Sequence, residues 1–265
     1  MSLRPLVPVV LAASLLAVAA CAEENTAPQA PVASTESTSP VPTLDQPGAQ
    51  CPDAAEAGEA VRLTNSAGHS LAAVELGSGP FGVVLAHQSE GSLCEWLPFG
   101  RLLAERGYRV LTFDFAGYGS STPTRQKTYV EDLRTAVEYL RERGVTHVAI
   151  MGASMGATMS VVAAAAIDPP VDAVIAISPP LDFDGVNAEV AAASLSSPAL
   201  YIAGDMDGNY ATYAEAIYAA TPGEERALLV LEAPHHGIQL LSAETRAAVE
   251  ARTAIERFLA THLTD

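Results

Sequence analysis

Lysine is almost absent from this sequence. Lys127 is the single lysine among 14 basic side chains, which face 31 acidic ones, and the formal charge is −17. No basic patch or arginine stripe is present, so the chain lacks the electrostatic footprint of a nucleic-acid binder. The same acidity disfavours direct attachment to anionic lipid and is enough to keep an exported protein soluble. Cysteine is scarce, at positions 21, 51 and 94, and no Cys/His spacing resembles a metal site. The apolar run at the start, Leu6 to Ala20, is too short to cross a bilayer comfortably. No internal repeat is evident.

The N-terminal region reads as targeting sequence and tether. Arg4 is the only charge before Cys21, and an apolar core after one basic residue is the pattern of an export signal. Val18-Ala19-Ala20-Cys21 resembles the lipobox of bacterial lipoproteins, in which the signal is cut before a cysteine that carries lipid. The resemblance implies a signal peptide over 1–20, lipidation at Cys21, and attachment to the outer face of the bacterial cell membrane through that anchor alone. Losing Arg4 with the signal would take the formal charge from −17 to −18. The alternative is an ordinary secretory signal cut after an Ala-x-Ala site, which would leave the protein secreted and Cys21 incidental. From Cys21 to residue 58 the chain is rich in Ala, Pro, Ser and Thr and poor in large apolar side chains. It cannot bury enough surface to offset its chain entropy and is expected to be a disordered tether. Residues 59–265 then form one domain. Export favours oxidised cysteines, so either Cys51 and Cys94 pair in a disulfide or Cys94 is a buried thiol and Cys51 is free.

Within 59–265, strand-like and helix-like segments alternate. Strands are expected over 60–64, 71–76, 81–86, 109–115, 147–151, 173–177, 199–203 and 227–232. Helices are expected over 95–106, 129–143, 157–166, 210–220 and 243–263. The first two strands flank Asn65-Ser66-Ala67-Gly68 and make a hairpin. The remainder implies an α/β fold: a mostly parallel central sheet with helices on both faces and an antiparallel N-terminal hairpin. Only about twenty residues separate the strands at 173–177 and 199–203, which leaves little or no room for a cap. In such sheets ligands sit outside the carboxyl ends of the strands.

One of those ends carries a serine. Val148 to Met151 reads as a buried strand, Ala157 to Ala166 as the helix that follows, and Gly152-Ala153-Ser154-Met155-Gly156 joins them. A G-x-S-x-G turn between strand and helix strains the serine and exposes its hydroxyl, and the helix N-terminus beneath it suits a developing oxyanion. Placed in this alternation, residues 60–265 resemble the α/β-hydrolases. Asp114-Phe115-Ala116-Gly117-Tyr118-Gly119-Ser120-Ser121 adds to the likeness. It is similar to that family's D-x-R-G-x-G-x-S loop, with Ala116 in place of arginine, and is read as structural.

The resemblance implies a triad in the order nucleophile, acid, histidine. Ser154 is the nucleophile. Ala203-Gly204-Asp205-Met206-Asp207 is similar to the family's G-x-x-D, which points to Asp207 as the acid, with Asp205 and Asp182 as rivals. Ala233-Pro234-His235-His236-Gly237 favours His236 over His235 as the base. His87-Gln88-Ser89-Glu90-Gly91 resembles the oxyanion loop, with Gln88 where glycine is usual. The backbone N–H of Ser89 or Gln88 would then pair with that of Met155, and His87 would bond to loop backbone. The expected protein is an esterase acting on a small-molecule acyl ester through an acyl-enzyme, with no cofactor and no metal. Peptide or amide hydrolysis, acyl transfer, and a non-catalytic binding lipoprotein on the same fold are the alternatives.

Overall fold

The computed structural model describes Cys51 and residues 58–264. The expected signal, Cys21 and most of the expected tether lie outside the described residues. An eight-stranded sheet runs through the domain. Its members are β1 (Glu59–Thr64), β2 (Ser70–Leu76), β3 (Phe81–Ala86), β4 (Tyr108–Phe113), β5 (His147–Ala153), β6 (Ala173–Ile177), β9 (Ala199–Gly204) and β10 (Arg226–Leu231). In space the order is β1-β2-β4-β3-β5-β6-β9-β10. Strand β2 is antiparallel to both of its neighbours, and every other pairing is parallel.

The period-2 pleat sorts side chains into two cores. Val84, Ala86, Leu111 and Phe113 join one cluster; Val83, Leu85 and Val110 join the other. The first face is covered by α2 (Tyr129–Glu142), α3 (Met155–Ala166) and α5 (Tyr210–Ala220). Leu133, Val137 and Leu140 recur at helical spacing on α2 and are fully buried. The second face is covered by α1 (Leu97–Glu105), α6 (Gln239–Ser242) and α7 (Arg246–His262). Between β6 and β9 lie a two-residue hairpin pair, β7 (Asp182–Phe183) with β8 (Val186–Asn187), and α4 (Ala188–Ala192).

Several boundaries differ from the sequence expectation, each for a local reason. The helix expected over 95–106 begins as a 3-10 turn, Leu93–Trp96, capped by Ser92, and becomes α-helical at Leu97 with Pro98 in its first turn. Proline fits there because it has no N–H to lose. The strand expected to reach Phe115 stops at Phe113, since the Ser121 hydroxyl enters the ladder at the next pair, accepting from Ala72 N–H (2.8 Å) and donating to Asp114 O (2.6 Å). The long last helix starts at Arg246, because the Thr245 hydroxyl accepts from Ala248 N–H (3.1 Å) and caps it. Both β7–β8 and α4 went unforeseen, being too short for either periodicity to register.

Cys51 and Cys94 are joined in a disulfide across a sequence separation of 43. Cross-linking a loop of this length lowers the entropy of the unfolded chain, so Cys51→Ser should reduce stability by about 3–4 kcal/mol. Denaturant unfolding of the oxidised wild type and the variant measures this, and equal midpoints would refute it.

Candidate active site

Ser154 sits between β5 and α3 at φ 49°, ψ −119°, a conformation that costs a side-chain-bearing residue steric energy. The flanking glycines explain why the chain accepts it. A Cβ on Gly152 would lie 2.2 Å from Gly156 O, and one on Gly156 would lie 2.2 Å from Ala86 O at the end of β3. Both positions therefore exclude any larger residue, and the turn is pressed against the loop that follows β3. Helix α3 starts at Met155, so the Met155 N–H has no acceptor behind it in its own helix.

The histidine and acid meet on the far side of that turn. His236 Nδ1 lies 2.8 Å from Asp207 Oδ2. A carboxylate there requires the proton on Nδ1 and leaves the Nε2 lone pair free. Ser178, at φ 48° just past β6, donates its hydroxyl to the same Asp207 oxygen (3.0 Å) and accepts from Gly237 N–H (3.0 Å). It ties the acid to the histidine loop. The Tyr210 ring lies against the imidazole with centroids 4.2 Å apart. Gly237 packs towards the Ser154 turn, since a Cβ there would stand 3.5 Å from Ala153 Cβ. Ser154 and His236 share no hydrogen bond among the described residues, and such bonds are often loose before substrate binds.

The rival acids lie elsewhere. Asp205 accepts from Ala233 N–H at 3.0 Å and ties the ends of β9 and β10 together. Asp182 is exposed in the β7–β8 hairpin, where it accepts from Gly185 N–H (3.1 Å). His235 has no hydrogen bond among the described residues, whereas His236 faces the carboxylate.

On the opposite wall, His87 is fully buried. Its Nδ1 donates to Gln88 O (2.7 Å), and its Nε2 accepts from Phe115 N–H (3.1 Å). Burial lowers its pKa below the ordinary imidazole value, so it is neutral and structural. The Gln88 N–H donates to Glu95 Oε1 at 2.8 Å. It therefore already has an acceptor, and the Ser89 N–H is the remaining candidate in this loop.

Glu95 borders a cleft of 460 Å³ walled by Phe99, Leu102, Ile238 and Leu241, with Glu244 and Arg252 its other charged members. Burial, reinforced by the nearby Asp114 carboxylate and opposed by the Gln88 N–H, pushes the Glu95 carboxyl up to about 7. The folded protein therefore keeps this proton over a range where the unfolded chain, at an ordinary carboxylate pKa, has lost it. Glu95's contribution to stability is complete below about pH 4.5 and disappears as the pH rises through 7. His87 acts oppositely, since its stabilisation is lost as the pH falls below the ordinary imidazole value. Glu95→Gln should remove only the first component. Comparing thermal midpoints at about pH 5 and about pH 8 isolates it; an unchanged difference between wild type and variant would count against the assignment.

Among the described residues no group of three or more His, Cys, Asp or Glu side chains is placed to hold a metal ion. No helix among them is long and apolar enough to cross a membrane.

A parallel-rich sheet with a strained serine between its fifth strand and the next helix, and an Asp–His pair beyond its last strands, defines the α/β-hydrolase fold. The chain has that fold. A family model described as alpha/beta hydrolase fold matches residues 83–201. The esterase Pf2001 of Pyrococcus furiosus is similar in structure, with TM-score 0.64 and 19% identity over 78% of this chain and 93% of that one. A monoacylglycerol lipase of Paleococcus ferrophilus gives TM-score 0.62 and 16% identity over 72% and 99%. An enol-lactonase of Burkholderia xenovorans gives TM-score 0.61 and 17% identity over 76% and 100%. No curated relative matches the sequence.

Proposed function

We propose that this chain is a serine hydrolase of carboxylic esters, with Ser154 as nucleophile, His236 as general base and acid, and Asp207 as the orienting carboxylate. The observation that carries this is the 2.8 Å pairing of His236 Nδ1 with Asp207 Oδ2 at the sheet edge where Ser154 is held at positive φ. In the reaction, Nε2 of His236 takes the Ser154 proton as Oγ attacks the acyl carbon. The N–H groups of Met155 and Ser89 receive the oxyanion, and the imidazolium returns its proton to the departing alcohol. Water, deprotonated by the same Nε2, then releases the acid from the acyl-enzyme and restores Ser154.

Ester rather than peptide chemistry is favoured by the short β6–β9 connection. A two-residue hairpin pair and the five-residue α4 leave no second domain to frame a peptide terminus. The esterase, lipase and lactonase among the structural neighbours are consistent with acyl substrates. We further propose export, with Cys21 as the lipid-bearing residue; the Cys51–Cys94 disulfide supports an oxidising compartment. A fluorophosphonate probe applied to the purified protein tests the central reading. Labelling should be confined to Ser154 and disappear in Ser154→Ala, whereas a folded but unlabelled wild type would refute it.

A further inference from the structure

Gln88 stands where the resemblance leads one to expect glycine, and its surroundings account for the change. Its backbone N–H donates to Glu95 Oε1 (2.8 Å), and its side-chain Oε1 accepts from Ile238 N–H (3.2 Å). The amide oxygen occupies the place of a Gly237 Cβ, which would come within 2.0 Å of it. The turn is closed by Gly91 N–H on Gln88 O at 3.0 Å. Gly91 also lacks a Cβ for a reason, since one would sit 2.1 Å from Glu95 Oε2. Glu95 in turn cannot drift. It lies in the capped 3-10 turn between Cys94, held by its disulfide, and the fully buried Trp96.

We propose that Glu95 and Gln88 are a pair of positioning residues: Glu95 holds the His87–Gln88 peptide, and through it the adjoining Gln88–Ser89 peptide, so that the Ser89 N–H faces the Ser154 turn, and Gln88 locks that loop to the histidine loop. This deepens the hydrolase reading above and rests on it. An N–H aimed at an oxyanion is useful only if its direction survives substrate binding, because reorienting a dipole during the reaction cancels much of its benefit. A free loop opening with Gln-Ser-Glu-Gly would pay that cost. Here both ends of the Gln88 residue are bonded, one to each neighbouring loop. Since the oxyanion exists only in the transition state and tetrahedral intermediate, the pair should govern kcat much more than KM.

The experiment uses the full chain and a chromogenic acyl ester, with Glu95→Ala, Glu95→Gln and Gln88→Ala beside wild type. Glu95→Ala should lower kcat by roughly 10- to 100-fold with KM changed less than about threefold, and fluorophosphonate labelling should slow in parallel. Glu95→Gln keeps an oxygen acceptor for the Gln88 N–H and should recover kcat to within about threefold of wild type. A merely structural clip would move the thermal midpoint without this split between kcat and KM, assayed well below that midpoint. Should Glu95→Ala not fold, Gln88→Ala carries the test, because it leaves Glu95 and its backbone acceptor in place. Wild-type kcat in the folded alanine variants, or failure of Glu95→Gln to restore it, overturns the inference while leaving the hydrolase intact. A folded wild type that neither labels nor hydrolyses overturns the hydrolase reading, and this inference with it.

Discussion

Ser154→Ala should lower ester turnover by roughly four to six orders of magnitude while leaving the fold intact. The size follows from the chemistry assigned to the hydroxyl. Without Oγ no acyl-enzyme can form, and what remains is direct attack by water assisted by the oxyanion amides and by binding alone. The fold should survive because alanine removes only the hydroxyl of Ser154: this side chain makes no hydrogen bond among the described residues, and α3 begins without a side-chain cap from it. Alanine would occupy the same positive-φ backbone, with a steric cost similar to that borne by serine. Steady-state kinetics with a chromogenic ester, alongside circular dichroism, gives the answer. Turnover within tenfold of wild type would remove Ser154 from the reaction.

Asp207→Asn should reduce kcat by roughly 10³- to 10⁴-fold, with little change in stability. The carboxylate oxygen Oδ2 accepts from both His236 Nδ1 and the Ser178 hydroxyl. A carboxamide can present either an oxygen or an NH2 group to them. Presenting the NH2 forces the imidazole proton onto Nε2, where it blocks removal of the Ser154 proton. Presenting the oxygen preserves the tautomer but loses the negative charge that stabilises the imidazolium. Asp205→Asn is the internal control. Among the described residues its side chain accepts from one backbone N–H, that of Ala233, which an amide oxygen also accepts, so turnover should remain within about threefold of wild type. The reverse pattern would make Asp205 the acid.

Much of the fold was legible because its signals are local. Each parallel strand is a short apolar run ending in a turn, and β3, β6 and α5 have the bounds expected from the sequence. The G-x-S-x-G turn was legible for the same reason: backbone crowding at Gly152 and Gly156 is a property of one tight strand-to-helix crossing. Boundaries were lost where a distant residue intervened, as when the Ser121 hydroxyl took the place of the ladder bond between Ala72 N–H and Asp114 O and ended β4.

What the sequence by itself determined was the order of the sheet strands and the longer helices, the two faces of the sheet, and a short set of chemically capable side chains at its carboxyl edge. Periodicity and turn chemistry act over a few residues and need no partner to be read. Which of those side chains face one another was decided only by the tertiary structure. Asp205 and Asp207 are two residues apart and chemically identical, yet one meets a backbone amide and the other an imidazole. Ser178 lies 29 residues from Asp207 and carries no motif, but shares its oxygen. Gln88 reaches Ile238 across 150 residues. Hydrogen bonds are specific to within a few tenths of an ångström, and that placement comes from how separate loops pack on a common sheet edge, which no local pattern encodes.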